Sequence, residues 1–175
     1  MSSSIAKTKQ PNSYYEIRVR SVDGQSIFKE EADYWLLLSL FENAVPASAS
    51  GAVKILAYCL ESNQVSLLVY QSNRGSAVQL LDKVTVEYDR YCGHAYGRVG
   101  SIFQKEWDVT RISPARLLQA SYRIHKCPDK WLDCPHTSLR AYLYDDVPVW
   151  LDKTHIASRY GTAVRYLKLL QAYQN

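Results

Sequence analysis

The chain has 175 residues, 47% hydrophobic and 22% charged, with a net charge of +4. That is the balance of one globular domain, large enough to bury roughly two thirds of its unfolded surface. No apolar run approaches the roughly 20 residues a membrane-spanning helix needs, so no membrane partner is expected. Residues 1–10 are Ser/Lys-rich and lack a signal-peptide core, which predicts a flexible N-terminal arm over residues 1–12 and a cytoplasmic protein. Tyr14 to Arg20 alternates, with Tyr15, Ile17 and Val19 on one side and Glu16, Arg18 and Arg20 on the other, as in a half-buried strand. After a turn at Asp23-Gly24, Glu30 to Asn43 has helical periodicity, and Pro46 to Gly51 reads as a loop. Val53–Leu60 and Val65–Tyr70 read as a hairpin, and the pattern Val78, Leu81, Val84, Tyr88, Tyr91 as a helix ending near Gly97. Ser101–Val109 is expected to supply another strand. Ser113-Pro114 should cap a helix that runs to about Lys126, and Ile156, Tyr160, Val164, Leu167 and Leu170 mark a final one.

This order predicts an α/β (α+β) fold: a ferredoxin-like split βαβ sandwich with a mainly antiparallel central sheet, helices packed on it, and a C-terminal helical extension. The expected organisation is an arm over 1–12, a domain over 13–144 and a helical tail over 145–175 packed on the same domain. Cys59, Cys92, Cys127 and Cys134 lack zinc-like spacing and read as reduced thiols. His94, His125, His136 and His155 are scattered, and His125 reads as a helix-packing histidine. Basic residues concentrate between 111 and 140 and, with Arg18 and Arg20, are candidates for phosphate contact.

Residues 57–69, Ala-Tyr-Cys-Leu-Glu-Ser-Asn-Gln-Val-Ser-Leu-Leu-Val, resemble the A-Y-C-L-M-P-N-H-V-H-L-L-L strand of the REP-associated tyrosine transposases, a branch of the HUH superfamily. Further stretches resemble the same family in order and approximate spacing: Arg90-Tyr91, Tyr96 to Gln104, Ile124 to Pro128, Cys134 to Leu143 and Val149 to Asp152. The resemblance implies the ferredoxin-like fold and a partner that is DNA, single-stranded or hairpin. It also implies a mechanism in which a divalent ion such as magnesium or manganese, held by the histidine pair, polarises a phosphate for a helix tyrosine to attack.

Four departures fall on the residues that carry this mechanism. Gln64 and Ser66 stand at the two histidine positions, Arg123 at the tyrosine nucleophile and Cys127 at the asparagine four residues later. Lys105-Glu106-Trp107-Asp108 stands where the family tends to have G-R-Y-K. The expectation is a protein that binds DNA without cutting it, with no catalytic residue, no metal ligands and no cofactor. Its phosphate contacts would come from Arg18, Arg20, Arg98, Arg111, Arg116, Arg123, Lys126 and Arg140. The alternative is a metal-dependent transposase or nuclease that uses Tyr122 as a displaced nucleophile, although one helical step turns Tyr122 by about 100° from the family position. Monomer and homodimer both stay open.

Overall fold

The computed structural model describes residues 8–47, 51–144 and 146–173. Four strands form one antiparallel sheet in the order β2-β3-β1-β4: β1 (Ser13–Arg20), β2 (Val53–Glu61), β3 (Gln64–Gln71) and β4 (Asp108–Ile112). Helix α1 (Glu31–Ala47) connects β1 to β2, and α2 (Ser76–Tyr96) connects β3 to β4. With the two crossovers flanking a central hairpin, this is the expected split βαβ arrangement. Tyr15, Ile17 and Val19 are all but inaccessible and meet Leu37, Phe41, Leu81, Val84 and Tyr88 in one core. The second face of the sheet carries α3 (Leu117–His125) and the short helices α4 (Leu139–Leu143), α5 (Thr154–Tyr160) and α6 (Ala163–Ala172). Among the described residues, no helix is long and apolar enough to cross a membrane.

Several boundaries differ from expectation for identifiable reasons. Helix α1 continues through Pro46, which sits in its last turn, while residues 48–50 of the expected loop lie outside the described residues. Ser101–Val109 is not a strand: Ile102, Phe103 and Trp107 are buried through loop backbone pinned by Asp89, whose carboxylate accepts from Ile102 N at 2.8 Å. The fourth strand begins only at Asp108. Ser113 makes no side-chain cap, and Pro114–Arg116 forms a single 3-10 turn ahead of α3. The expected final helix is two, broken where Gly161 takes φ 76° and the Thr162 hydroxyl accepts from Arg165 N. That glycine-then-threonine pair is a helix stop followed by an N-cap.

Of the arm expected over residues 1–12, residues 1–7 lie outside the described residues. Thr8 is fully buried, and the Gln71 side-chain amide donates to the Thr8 and Gln10 carbonyls at 2.9 Å each. At the other end, Tyr166 and Leu170 of α6 are completely covered. His125 is the hub of that packing, with its ring nitrogens 2.7 Å from the Tyr166 hydroxyl and 2.7 Å from Ser138 Oγ. Burial pushes its pKa down to about 3, so it is a neutral, fully satisfied core histidine.

Candidate nucleic-acid interface

Strand parity places Glu16, Arg18 and Arg20 of β1 on the sheet face opposite the α1/α2 core. Register then sets Arg18 beside Ser66 of β3 and Asp108 of β4, and Arg20 beside Gln64. On β2, Cys59 lies opposite Ser66 and Glu61 opposite Gln64. Helix α3 lies over this face; its last turn lowers Arg123 onto it, and the turn that follows the helix brings Cys127 there. The four positions singled out in the sequence therefore share one face of the sheet.

Their chemistry divides into two clusters. In the first, Gln64 Nε2 lies 2.9 Å from Glu61 Oε2, 3.0 Å from Ser66 Oγ and 3.7 Å from Cys127 Sγ. Cys127 Sγ donates to the same Glu61 oxygen at 2.9 Å. Burial, and then the Glu61 hydrogen bond, push the Cys127 thiol up to about 12, so it stays protonated. The Gln64 carbonyl accepts from Arg20 Nε at 3.1 Å. The polar groups of this cluster thus satisfy one another. Among the described residues, no three His, Cys, Asp or Glu side chains gather as a metal site.

In the second cluster Glu16, only 7% exposed at its side chain, holds two arginines. Arg123 donates to Glu16 Oε2 through Nε at 3.1 Å and Nη2 at 2.6 Å, and Arg18 Nη2 reaches Oε1 at 2.7 Å. Burial disfavours the charged guanidinium of Arg123, but the Glu16 hydrogen bond and charge outweigh it and hold its pKa above the ordinary value. Arg18 Nε is buried with no hydrogen-bond partner among the described residues.

This second cluster is the floor of a groove of about 820 Å³ along β4, lined by Glu16, Arg18, Asp108, Arg111, Arg116 and Arg123 among others. Four of the eight sequence-predicted phosphate contacts therefore meet there. Arg111 and Arg116 are exposed, and their side chains make no hydrogen bond or ion pair among the described residues. Arg20 sits beside the groove, paired with Asp108 at 2.6 Å. The other three lie elsewhere. Arg98 donates to Gln25 at 2.6 Å, Lys126 donates to the Tyr173 carbonyl, and Arg140 is exposed on α4 over the Tyr144 ring.

Tyr122 faces the other way. Its ring packs 5.3 Å from Tyr166 and 5.5 Å from Tyr173, beneath the C-terminal helices, and burial pushes its hydroxyl up to about 12. Glu16 and Glu61, which organise both clusters, were not candidates from the sequence. Glu61 stands where the quoted family strand has methionine, a departure that signals a new acceptor. Glu16 reads locally as one more polar-face residue.

No protein-family model and no curated protein matches the sequence. Among solved structures, a REP-associated tyrosine transposase bound to a REP hairpin superposes with a TM-score of 0.64 at 12% identity, covering 83% of this chain and 90% of that one. The chain shares the fold of that transposase. A bacterial tRNA(His) guanylyltransferase (Thg1)-like protein in complex with GTP superposes less well, with a TM-score of 0.45 at 10% identity over 82% of this chain and 73% of that one.

Proposed function

We propose that this chain is a transposase-like protein that binds single-stranded or hairpin DNA along the β4 groove and does not cleave it. The observation that carries the reading is the convergence of Arg18, Arg111, Arg116 and Arg123 on one groove beside Gln64, Ser66 and Cys127. The guanidinium groups of Arg111 and Arg116, without hydrogen-bond or ion-pair partners among the described residues, are ready to exchange water for phosphate oxygens, and Arg forks suit phosphate bidentately. The shared fold with a transposase that binds a REP hairpin supports DNA as the polyanion.

The donor set speaks against a catalytic divalent ion. Glu61 is the one carboxylate in the Gln64–Ser66–Cys127 cluster, and it already accepts from Gln64 and Cys127. A protonated thiol and an amide engaged with Arg20 give a hard cation little to bind. Arg123 has no nucleophilic oxygen, and Tyr122 points into the packing beneath α6. Strand cleavage through Tyr122 therefore has no geometric support.

Filter binding of a labelled hairpin against salt tests the binding. Affinity that falls steeply as salt rises is the expected outcome, and no detectable binding at low salt overturns it. Incubating the same hairpin with magnesium or manganese tests the chemistry. No covalent protein–DNA species is expected, and an adduct lost in Tyr122→Phe would restore the enzyme reading.

A further inference from the structure

A second cavity of about 400 Å³ adjoins the arginine groove, lined by Asn12, Ser13, Tyr14, Arg111, Ile112, Ser113 and Pro114. Arg111, Ile112 and Ser113 border both spaces, so the two form one track around the C-terminal end of β4. Their chemistry differs. The first is dominated by cations. The second offers apolar walls in Tyr14, Ile112 and Pro114, with polar groups from Asn12, Ser13, Ser113 and Arg111 at its border.

The Tyr14 ring is held firmly in place. Its hydroxyl lies 2.9 Å from His155 Nδ1, its ring meets the His155 ring edge-on at 5.6 Å, and Tyr70 packs against it at 5.2 Å. Tyr70 in turn donates to Asn12 Oδ1 at 2.9 Å. Asn12 therefore has its side-chain carbonyl engaged and its amide hydrogens left to donate. Tyr14 and Arg18 are four residues apart on the same strand face, roughly 13 Å at the usual rise. A single nucleotide cannot cover both.

Resting on the nucleic-acid reading above, we propose that this second cavity is a nucleobase subsite. An unpaired base of the strand whose phosphates lie on Arg18, Arg111, Arg116 and Arg123 stacks against Tyr14, and the Asn12 amide donates to its acceptor edge. Arg111 lies between the phosphate-binding and base-binding parts of the track. A ring fixed by neighbours before the ligand arrives stacks at low entropic cost, and the contact is tolerant of base identity because every base has a π-face.

The test compares a 12-nucleotide oligothymidine with an abasic strand of the same length, which keeps the phosphates and lacks the bases. Wild type should bind the base-bearing strand about 5- to 100-fold more tightly. Tyr14→Leu should lose most of that preference while binding the abasic strand as before, and Tyr14→Phe should keep it. Thermal melts of each variant confirm folding. Two outcomes overturn the subsite while leaving phosphate binding intact: equal wild-type affinity for both strands, or an undiminished preference in folded Tyr14→Leu. Failure of wild type to bind either strand removes the nucleic-acid reading as well.

Discussion

At the scale of single residues, Glu16 has the most unusual position in the groove. A carboxylate on the floor of a proposed phosphate site acts as an internal anion, occupying the forks of Arg18 and Arg123. Glu16→Gln removes that competitor and leaves two arginines to be satisfied from outside. Stability should drop by about 1–3 kcal/mol, less than for a fully buried pair because both arginines are about 30% exposed. DNA affinity at low salt should rise rather than fall. Urea melts and filter binding on the same preparation check both, and a parallel loss of affinity would show that Glu16 only positions the arginines. His125 gives a second residue-level prediction. Its folded pKa of about 3 lies far below the roughly 6.5 of an unfolded chain, so between those values only the unfolded state takes up the proton. Its contribution is complete above about pH 6.5 and declines as pH falls, by up to about 1.4 kcal/mol per pH unit, towards pH 3. Urea melts at pH 7, 5.5 and 4.5 should show this loss, with a shallower slope in His125→Gln, whose side chain does not titrate.

At the scale of elements, α6 closes the second face of the sheet, and Leu170 is its deepest aliphatic residue, fully buried. Leu170→Ala should cost about 2–5 kcal/mol in chemical denaturation, whereas a change at exposed Val164 should be nearly neutral. The sequence made the β1-α1-β2-β3-α2 succession legible because β1 alternates, the two helices carry apolar residues at helical spacing, and β2 and β3, buried on both faces, read as short continuous apolar runs. The fourth strand was not legible. It is a short edge strand with only Ile112 buried, while the strongly apolar Ile102, Phe103 and Trp107 before it enter the core from loop backbone. Apolar residues there report burial and not strand. The site was legible in part for a related reason. The resemblance to the transposase family grouped Gln64, Ser66, Arg123 and Cys127, and strand register together with the packing of α3 brings them to one face. The ion pair between Arg123 and Glu16 spans 107 residues, and no local pattern encodes it.

At the scale of the whole molecule, the net charge of +4 is too small to attract a polyanion without regard to place. The distribution matters more, and it separates the arginines into two sets. Arg18, Arg111, Arg116 and Arg123 share the β4 groove, while Arg98 and Arg140 lie outside it, the former engaged with Gln25. Single-stranded DNA releases counterions in proportion to the phosphates neutralised, with a logarithmic salt slope of about −0.7 per contact. With one of the four groove charges offset by Glu16, about three contacts remain, and the slope should be near −2. Arg111→Ala and Arg116→Ala should each flatten that slope by about 0.7 and weaken binding at low salt, because each removes one free cation. Arg98→Ala and Arg140→Ala should leave slope and affinity unchanged, although they alter net charge by the same amount. Fluorescence anisotropy titrations at four or five salt concentrations distinguish the cases. Equal effects from all four substitutions would mean that the strand is held by overall charge and that the groove has no special role.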